Sequence, residues 1–580
     1  MEFDRQHGLS NIDLVVVGSG AGGLTAALTA SLVGLKTIVL EHDRFIGGTS
    51  ARSSGSVWIP DNHHMRAHGV TNDRELAARY LDSLVADRGD PDLWNAFLEN
   101  GPKMLLDLER SAGISFRPYM TAPDYRQDHP GAALGGRPLE PLPFDGRELQ
   151  DDFSRLAWPI PELMVFGKMM VTRGEAADLI RADRSLRGLK LAVGLLSRYV
   201  IDRLSYQRGT RLVLGNALIG SLVLALRRRN VPILTNVQCK RLATEHGRVS
   251  GIDVAIGDTA YSIAASKGVV LAGGGFPANR DWRTKYLPEP VADYTPAASG
   301  CDASTIKLAL DIGASLGPAG LDNALWFPSS IATRADGSTA VYPHIVLDRA
   351  KPGLIAVNQR GKRFVNEAVS YHEFVRGMYR AHEKAPAIPA YLICDRAFIR
   401  RYGLGIIRPR TPSLAKFVKS GYLQTGKTFA ELALRIGVPP EPLQATVARY
   451  NALAEIGRDG DFNKGENPYE RGNGDANVKP NPCLGPLRKP PFYALPVYPT
   501  PLGTSLGLLA DVDGRVCTAE RHPIEGLYVC GNDMQSAFGG EYPGAGGQLG
   551  QAMTFGWIAA RHAARTNFDV TDAPATGAAE

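Results

Sequence analysis

A cluster of glycines near the start of the sequence has the residue types and spacing of a turn that holds a nucleotide cofactor. Gly18, Gly20 and Gly23 form the pattern G-x-G-x-x-G, and Glu41 follows the first of them by 23 positions. Glycines allow a tight turn and close approach to a pyrophosphate, and an acidic residue at this distance accepts hydrogen bonds from ribose hydroxyls. The pattern predicts a dinucleotide site made of Gly18, Ser19, Gly20, Ala21, Gly22, Gly23 and Glu41.

The segments around these glycines are the ones needed to present them to phosphate groups. Residues 12–17 read IDLVVV and predict a short buried strand, residues 24–33 are alanine-rich and predict a helix, and residues 36–40 predict a second strand. In this order a helix begins at the glycine turn and directs its free N–H groups at the phosphates. The strand–turn–helix context makes the glycine pattern a specific signal.

Further segments indicate that the dinucleotide is FAD. A loop rich in small residues and hydroxyls follows Glu41 at residues 45–59, and strands that end in glycines or polar residues are predicted within residues 268–276 and 526–533. A helix that begins near Gln548 can aim its N-terminal amides at a flavin and stabilise negative charge there. The predicted FAD contacts in these segments are Gly48, Thr49, Ser50, Ser53, Ser54, Gly55, Gly274, Asn532, Asp533, Gln548 and Leu549.

Four blocks of the sequence resemble the signature blocks of one family, in that family's order. They read GSGAGGLTAAL, GGTSARSSGSVWIPDN, GKRFVNEAVSY and YPGAGGQLGQAMTFG, and the resemblance extends from about residue 12 to residue 565. The chain resembles the flavoproteins that include fumarate reductases and 3-ketosteroid Δ1-dehydrogenases, and it resembles the second branch much better. Fumarate reductases place basic residues near the last block, whereas residues 539–554 contain no Arg, Lys or His. Covalent-flavin members carry a histidine in the hydroxyl-rich loop, and its absence from residues 47–56 predicts non-covalent FAD.

The resemblance implies an α/β fold in which one domain is inserted into another. A Rossmann-like FAD-binding domain would consist of residues 1–328 and 496–580, and an inserted α+β catalytic (capping) domain would consist of residues 329–495. Residues 457–491 are rich in Gly, Pro and Asn and predict a long loop that returns to the FAD-binding domain. Residues 212–226 predict a buried helix.

The resemblance also implies that three tyrosines and one glycine carry the chemistry. Tyr371, Tyr542 and Tyr125 coincide with catalytic positions of the family, and the N–H of Gly546 pairs with the Tyr542 hydroxyl to hold a substrate carbonyl. Donors on that carbonyl stabilise the enolate that forms as the α-proton leaves. Tyr371 would take the proton, Tyr125 would relay it, and flavin N5 would accept hydride from the β-carbon. Tyrosine is a weak base at its reference pKa of ~10, so it needs a relay or a positive environment.

The expected substrate is a 3-ketosteroid, desaturated between ring positions 1 and 2. A smaller cyclic ketone of the cyclohexanone type needs the same tyrosines and stays open as an alternative, as does a fumarate-reductase-like flavoprotein. A flavoprotein that only senses redox state is the non-enzymatic alternative, against which Tyr371 and Tyr542 argue. Trp326 and Phe327 are expected to line the substrate pocket. The sequence contains no second complete G-x-G-x-x-G motif that would indicate an NAD(P)H site. Electrons from the reduced flavin would therefore pass to a quinone or another acceptor.

The composition argues against nucleic acid and metal as partners. The net charge is +6 over 580 residues, and the longest basic run, residues 227–229, has no aromatic residues among its charges. The six cysteines form no CxxC pair, and the local cluster of His63, His64 and His68 has no matching acid or Cys motif, so no metal site is expected. The first residues contain no apolar stretch typical of a signal peptide, which predicts a cytoplasmic protein.

One segment carries a basic and amphipathic pattern. Residues 173–211 contain nine Lys/Arg against four Asp/Glu, and apolar residues recur there at helical spacing, at Leu189, Val193, Leu196, Val200 and Leu204. A basic amphipathic helix of this kind binds peripherally to anionic membranes. The same pattern is compatible with a helical excursion packed on the FAD-binding domain, and the sequence leaves both interpretations open.

Overall fold

The computed structural model describes residues 11–165, 168–180, 185–291, 293–345 and 348–566. The strands of the described chain are β1 (Ile12–Val17), β2 (Thr37–Leu40), β3 (Val57–Trp58), β4 (Phe116–Pro118), β5 (Pro138–Pro141), β6 (Phe144–Asp145), β7 (Arg211–Leu212), β8 (Ile233–Leu234), β9 (Val237–Glu245), β10 (Arg248–Ile256), β11 (Thr259–Leu271), β12 (Ala324–Thr333), β13 (Thr339–Pro343), β14 (Leu354–Val357), β15 (Ala390–Asp395), β16 (Gln424–Gly426), β17 (Phe492–Thr504), β18 (Arg515–Cys517) and β19 (Pro523–Val529).

The helices are α1 (Ala21–Leu32), α2 (Gly48–Arg52), α3 (His63–Ala67), α4 (Asp73–Val85), α5 (Pro91–Ala112), α6 (Asp152–Arg155), α7 (Arg173–Ile180), α8 (Leu186–Ser205), α9 (Leu214–Arg227), α10 (Arg280–Tyr286), α11 (Ser304–Leu310), α12 (Tyr371–His382), α13 (Arg396–Tyr402), α14 (Ala415–Lys419), α15 (Phe429–Ile436), α16 (Pro440–Ile456), α17 (Pro468–Asn473) and α18 (Gly547–Arg565). Across the described ranges, no helix is both long enough and apolar enough to cross a membrane.

A sheet with a parallel centre carries the glycine turn. Its order is β18-β19-β11-β1-β2-β8, and β10 and β9 extend it in antiparallel fashion from β11. β1 pairs in parallel with β2 and β11, and β11 pairs in parallel with β19. Parallel strands are covered on both faces and therefore need continuous apolar sequence, which residues 14–17 of β1 provide. The predicted strand–helix–strand unit is confirmed as β1, α1 and β2.

The first and last helices of the described chain pack together beside this sheet. A Cβ on Gly556 of α18 would lie 2.4 Å from the carbonyl oxygen of Gly22 in α1, and a Cβ on Gly22 would lie 2.9 Å from the carbonyl oxygen of Ala552. These positions therefore require glycine. The close contact fixes α18 against the helix that begins at the glycine turn.

A second, antiparallel sheet is formed by residues from the middle of the chain and by β17. Its order is β13-β12-β17-β15-β14, and β16 also pairs with β17. Apolar residues of β14, β15 and β17 form a separate core with α15 and α16. The helix α12 packs against β12, so Tyr371, its first residue, lies beside this sheet.

Two expectations about local structure have different outcomes. The buried helix expected in residues 212–226 is confirmed as α9, most of whose residues are buried. Residues 457–491 are not wholly a loop, because they contain α17. This helix begins with Pro468 at its first position and Asn467 as N-cap, whose side chain accepts a hydrogen bond from the Glu470 N–H at 3.0 Å. Proline at the first helical position and asparagine before it are favourable start signals.

Candidate active site

A cavity of about 500 Å³ is lined by residues of both sheets. One end is lined by the glycine turn after β1 and by the hydroxyl-rich loop, and the other end by three tyrosines with residues of β12 and β17. The carboxyl ends of parallel strands are where open α/β sheets bind ligands. The fold therefore joins the predicted nucleotide residues and the predicted catalytic residues in one space.

The glycine turn has the shape needed to hold a pyrophosphate. Gly18 has a φ of +109°, and a Cβ there would lie 2.2 Å from the carbonyl oxygen of Ala272. A Cβ on Gly23 would lie 2.1 Å from the carbonyl oxygen of Gly18, so both positions require glycine. Gly20 lines the cavity, and the nearest atom to a Cβ there is Ser50 Oγ at 3.5 Å. A side chain at Gly20 would occupy the space that a phosphate group needs, so the turn fits the dinucleotide FAD.

Glu41 lies at the end of β2 and is held beside this turn. Its Oε2 accepts hydrogen bonds from the N–H of Ser19, at 2.9 Å, and from the Ser19 hydroxyl, while its Oε1 accepts from the Asp43 N–H at 2.8 Å. Burial raises the pKa of the Glu41 carboxyl, and these hydrogen bonds oppose the shift. Glu41 lines the cavity together with the other predicted residues of the turn, Ser19, Ala21 and Gly22.

The hydroxyl-rich loop closes over the start of α1. Ser50 Oγ accepts a hydrogen bond from the Ala21 N–H at 3.1 Å, which engages one of the first amides of that helix. The residues of this loop that line the cavity include Gly48, Thr49, Ser50, Ser53 and Ser54. Gly55 lies elsewhere, because it has a φ of +66° and a Cβ there would lie 2.5 Å from the carbonyl carbon of Leu214. Gly55 therefore lets the loop pass the start of α9 and is not part of the cavity wall.

The two polar residues after β19 have different positions. Asn532 lines the cavity, and its Nδ2 donates to Oε1 of Gln548 at 3.3 Å. Asp533 is fully buried, and its carboxylate accepts hydrogen bonds from the N–H groups of Gly273, at 2.6 Å, and Gly275, at 2.8 Å. Asp533 thus holds the glycine segment after β11 in place and does not face the cavity itself. The remaining predicted cofactor contacts, Gly274, Gln548 and Leu549, line the cavity.

Three tyrosines meet at the other end of the cavity. Tyr371 is the first residue of α12, Tyr542 lies in the loop before α18, and Tyr125 lies in the loop between β4 and β5. The hydroxyl oxygens of Tyr125 and Tyr371 are 2.9 Å apart. The ring of Tyr371 stacks on that of Phe327, with centroids 4.1 Å apart, and stands at 89° to the ring of Tyr542. The fold thus brings together three hydroxyl groups that the sequence places far apart.

Local hydrogen bonds fix the segments that carry these tyrosines. Ser370 caps α12, because its Oγ accepts from the Glu373 N–H at 3.3 Å, and Tyr371 is thereby the first residue of a capped helix. The N–H of Tyr125 donates to the carbonyl oxygen of Pro543 at 3.0 Å. The loops of Tyr125 and Tyr542 are therefore joined directly.

The environment keeps the phenols protonated. Burial raises the pKa of the Tyr371 hydroxyl well above its usual value, and the neighbouring hydroxyls of Tyr125 and Tyr542 raise it further. Burial also raises the pKa of Tyr542, against hydrogen bonds to Tyr371 and Gln548 that lower it. Near neutral pH, the hydroxyls of Tyr371 and Tyr542 are therefore protonated and can donate hydrogen bonds.

Gly546 begins the last helix next to Tyr542. It has a φ of +97° and lines the cavity, and a Cβ there would lie 2.3 Å from the carbonyl oxygen of Ser56. Its own carbonyl oxygen accepts hydrogen bonds from the N–H groups of Trp58, at 3.1 Å, and Gly550, at 2.8 Å. These contacts fix the peptide plane at the start of α18, so the position is restricted to glycine.

Of Trp326 and Phe327, only Phe327 lines the cavity. Phe327 lines the cavity beside Tyr371, whereas Trp326 is buried on the opposite face of β12 and donates from Nε1 to Asp322 Oδ2 at 3.0 Å. The prediction for Trp326 is wrong because successive side chains of a strand point to opposite faces of the sheet. The Trp326 N–H donates to Nδ1 of His372 at 3.3 Å, so this histidine contacts β12.

The structure adds wall residues that the sequence did not mark. Apolar and polar side chains from four separate segments complete the tyrosine end of the cavity, namely Leu163, Met164, Tyr342, Ile345, Asp348 and Leu502. None belongs to a local motif, and Tyr342 and Leu502 reach the wall because β12 pairs with β13 and β17. Burial disfavours ionisation of Asp348, but His344 and Arg349 lower the pKa of its carboxyl to about 2.

The histidine cluster near residue 63 has an acidic neighbour from another helix. Nε2 of His63 and Nε2 of His64 lie 2.6 Å and 2.9 Å from the two carboxylate oxygens of Glu109 in α5. His68 is turned away, and its Nδ1 is bonded to the carbonyl oxygen of His64 at 2.8 Å. The cluster lies outside the cavity wall and plays no part in the site.

A parallel sheet with this glycine cradle, hydroxyl-rich loop and C-terminal helix defines an FAD-binding flavoprotein. Comparison with known proteins agrees, since residues 13–549 match the family model described as the FAD binding domain.

Similar proteins identify a family within the FAD-binding flavoproteins. The chain is 36% identical over 573 residues to a 3-oxosteroid 1-dehydrogenase of Mycobacterium tuberculosis, covering 96% of this chain and 99% of that protein. It is 37% identical over 560 residues to the 4-oxocyclohex-2-ene-1-carboxylate 5-dehydrogenase of Sinomonas cyclohexanicum, covering 95% of this chain and 94% of that protein. The crystal structure of 3-ketosteroid Δ1-dehydrogenase from Sterolibacterium denitrificans, in complex with 1,4-androstadiene-3,17-dione, superposes with a TM-score of 0.90 at 38% identity, covering 96% of this chain and 100% of that one. The chain belongs to the 3-oxosteroid 1-dehydrogenase family of FAD-dependent oxidoreductases.

Proposed function

We propose that this protein is a dehydrogenase that introduces a double bond between ring positions 1 and 2 of a 3-ketosteroid, α,β to the ketone. The observation that carries the choice of substrate is the charge of the cavity wall. Among the described lining residues the basic ones are His42, which directly follows Glu41, Arg52, which ends α2 in the hydroxyl-rich loop, and Lys240, which lies in β9. None of them belongs to the segments that carry the three tyrosines. Among the described lining residues, the remaining charged groups are all carboxylates, namely those of Glu41, Asp43, Glu140 and Asp348.

This distribution favours a neutral ketone over an anionic one. A carboxylate that enters the tyrosine end would lose its hydration without gaining a cationic partner, and it would approach Asp348. Burial of an unpaired charge is costly, so an oxocyclohexanecarboxylate fits this cavity less well than an uncharged, apolar steroid. The stacked ring of Phe327 and the side chains of Leu163 and Leu502 supply apolar surface for fused rings.

The site residues have separate roles in the proposed reaction. The Tyr542 hydroxyl and the Gly546 N–H hold the ketone oxygen and stabilise negative charge on it. Tyr371 takes the α-proton and, because its raised pKa disfavours a phenolate, passes its phenol proton at the same time to Tyr125 across the 2.9 Å contact. Tyr125 is only partly buried and in turn releases its own phenol proton to solvent. Bound FAD supplies the hydride acceptor for the β-carbon. Burial of Tyr371 and Tyr542 keeps water away from the enolate.

The predicted cofactor residues that line the cavity would hold FAD, without a covalent bond, and Asp533 would support them from behind. We further propose that residues 1–328 and 496–580 constitute the FAD-binding domain and residues 329–495 the inserted catalytic domain. The strands β13, β14, β15 and β16 of the second sheet and the helix α12, which contributes Tyr371, lie within residues 329–495 and support this division, while β12 and β17 cross its two boundaries. A quinone or a similar acceptor would reoxidise the flavin.

Anaerobic mixing with three ketones tests the substrate class. 4-Androstene-3,17-dione should bleach the bound flavin at least ~10²-fold faster than 4-oxocyclohexanecarboxylate, because burial of the unpaired carboxylate costs several kcal/mol and ~1.4 kcal/mol corresponds to a factor of ten. Cyclohexanone, which lacks the charge, separates size from charge. Faster bleaching by the carboxylate, or by cyclohexanone, would replace the steroid with a small cyclic ketone. Absence of bleaching by all three would favour a non-enzymatic flavoprotein.

A second proposal concerns α8, which we infer binds peripherally to an anionic membrane surface. The large apolar side chains on one side of this helix are between 44% and 87% exposed, at Leu186, Leu189, Val193, Leu196, Val200, Ile201 and Leu204. The other side is anchored, because Arg198 Nη2 contacts Asp145 Oδ2 at 3.0 Å and Asp202 accepts from the Thr210 N–H at 2.7 Å. An apolar face of this size on an anchored helix is typical of an interaction surface.

The exposed basic side chains on α8 indicate which kind of partner its apolar face binds. Arg187, Lys190 and Arg203 are exposed on α8, and a polybasic surface gains roughly 1 kcal/mol per charge near anionic lipid. Arg181 and Arg184 carry the same charge in the sequence but lie outside the described residues. The combination of exposed apolar and basic side chains therefore fits a bilayer that contains anionic headgroups.

Vesicle sedimentation tests the membrane proposal. Serine replacements of Leu189, Val193 and Leu196 should abolish binding to phosphatidylcholine vesicles that contain phosphatidylserine, and high salt should weaken wild-type binding, with FAD content unchanged in both. A variant with Leu434→Ser and Ile456→Ser, at positions 72% and 71% exposed on other helices, is the matched control and should bind like wild type. Failure of the wild-type protein to sediment with these vesicles at low salt would refute the proposal.

A further inference from the structure

A buried arginine connects the helix of Tyr371 to the loop of Tyr542. Arg376 lies in α12, and its side chain is 5% exposed. Its Nη1 contacts Glu541 Oε2 at 2.8 Å, and its Nη2 donates to the carbonyl oxygen of Gly540 at 3.2 Å. Glu541 directly precedes Tyr542 and is 4% exposed. The two segments that carry the proposed base and the proposed carbonyl donor are therefore joined by a charged, nearly solvent-free contact.

The guanidinium of Arg376 also contacts a third segment, which contains Asp322. Its Nε and Nη2 contact the carboxylate of Asp322 at 2.8 Å and 3.3 Å, and Asp322 also accepts from Trp326 Nε1. A guanidinium held in this two-pronged geometry has one orientation, because its donors lie in a rigid plane. Arg376 therefore relates α12 to the start of β12 as well as to the Tyr542 loop.

The Tyr125 segment is tied to the same cluster. Arg126 Nη1 lies 3.8 Å from Glu373 Oε2, and Glu373 Oε1 lies 3.2 Å from Arg376 Nη1. On the outer side, Arg88 Nε contacts Glu541 Oε1 at 3.3 Å. Glu373 Oε2 also lies 4.0 Å from Arg380 Nη2, and Arg126 Nη2 contacts Asp128 Oδ2 at 2.8 Å. The four arginines and four carboxylates balance in charge, and every tyrosine segment has at least one member in the cluster.

Such a cluster is poorly explained by stability alone. The desolvation cost of a buried ion pair offsets much of its attraction, so well-packed apolar residues would stabilise the fold about as well. Apolar residues would not, however, fix the relative orientation of the segments that they join. Small displacements between reacting groups slow catalysis strongly even when the substitution is remote from the chemistry.

We propose that Arg376 and Glu541 are positioning residues that set the placement of the Tyr371 hydroxyl relative to the Tyr542 hydroxyl. The inference rests on the proposed roles of these tyrosines in α-proton removal and carbonyl binding. Neither Arg376 nor Glu541 lines the cavity, so both act through the backbone of α12 and of the loop before α18.

A matched pair of isosteric variants tests the proposal in the FAD-bound protein. Glu541→Gln keeps the side-chain size but removes the charge that Arg376 and Arg88 contact. Asp459→Asn is the control, because Asp459 is fully buried and its carboxylate contacts Arg363 at 3.0 Å and 2.8 Å, away from the cavity. Thermal unfolding, FAD content and single-turnover flavin reduction by 4-androstene-3,17-dione are measured for both.

Both variants should lower the unfolding temperature and keep FAD, but only Glu541→Gln should slow flavin reduction, by on the order of 10- to 100-fold. The kinetic isotope effect from deuterium at the α-carbon should rise in Glu541→Gln and stay at its wild-type value in Asp459→Asn. Arg376→Lys, which keeps the charge but loses the two-pronged contact with Asp322, should show the same kinetic defect and serves if Glu541→Gln does not fold.

Tyr371→Phe, measured in parallel, distinguishes failure of the positioning proposal from failure of the proposed tyrosine roles. If Tyr371→Phe is inactive while Glu541→Gln and Arg376→Lys reduce flavin at the wild-type rate with the wild-type isotope effect, the positioning proposal is wrong and the tyrosine roles stand. If Tyr371→Phe itself has the wild-type rate, the proposed function of the tyrosines is wrong and the positioning proposal is withdrawn with it.

Discussion

Tyr371→Phe is expected to retain FAD and bind a 3-ketosteroid, yet reduce its flavin ~10²–10⁴-fold more slowly, the usual contribution of a positioned general base. The aromatic ring remains, so the stack on Phe327 is kept and packing changes little. Single-turnover flavin reduction with α-carbon-deuterated substrate should show a larger isotope effect than in wild type, because proton removal becomes the slow step.

Tyr450→Phe provides the comparison for this variant, since it removes a buried hydroxyl from the separate core of the second sheet. Its rate should equal that of the wild-type protein. A wild-type rate in Tyr371→Phe as well would mean that Tyr371 only packs, and that the base must be sought elsewhere.

The raised pKa of Tyr371 shapes how the proton moves. A phenol whose pKa lies well above its usual value stays protonated through neutral and moderately alkaline pH, so the resting enzyme holds no tyrosinate. Proton uptake from the substrate must then coincide with release of the Tyr371 phenol proton, for which the Tyr125 hydroxyl at 2.9 Å provides a path. Tyr125→Phe should be milder than Tyr371→Phe, because it removes the relay and leaves the group that contacts the substrate.

Tyr542→Phe is expected to raise KM and to lower kcat, with a loss of ~10²–10³-fold in kcat, the usual effect of removing one donor from an oxyanion site. The hydroxyl contacts the ketone in the ground state and more strongly in the enolate-like transition state, so both parameters change. Steady-state kinetics with 4-androstene-3,17-dione measure the effect, and titration with 1,4-androstadiene-3,17-dione measures binding alone.

Gly546→Ala tests the second donor in the same assay. Its Cβ would meet the Ser56 carbonyl oxygen at 2.3 Å, so the peptide must move and the N–H must turn from the ketone. We expect a similar combined defect. Unchanged KM and kcat in Tyr542→Phe would exclude Tyr542 from carbonyl binding.

The glycine turn could be predicted from sequence because its determinants are local. Gly18, Gly20, Gly23 and Glu41 lie within one strand–helix–strand unit, and the structure places them around one space. The tyrosines could be selected only through the resemblance of whole blocks, since a single tyrosine carries no distinguishing local pattern. Their mutual contacts depend on the packing of α12 against β12 and on the hydrogen bond from the Tyr125 N–H to the Pro543 carbonyl oxygen.

Other features depend on orientation or on distant partners, which a local pattern does not contain. The sequence does not show which of Trp326 and Phe327 faces inward, because both are large and aromatic. Asp533 resembles a ligand contact until its partners, the N–H groups of Gly273 and Gly275, are known. The contact of Arg376 with Glu541 joins positions 165 residues apart, so neither residue marks itself as functional.

The parallel pairing of β1, β11 and β19 has a consequence for biosynthesis. β1 is among the first described segments to leave the ribosome, whereas β19, Tyr542 and the helix that packs on Gly22 are among the last. A nascent chain therefore exposes an unfilled nucleotide cleft and half of an apolar substrate wall for most of its synthesis. Non-local pairing of this kind folds slowly and exposes aggregation-prone surface meanwhile. The nucleotide cleft should therefore become complete, and able to bind FAD, only after β19 and α18 have been synthesised.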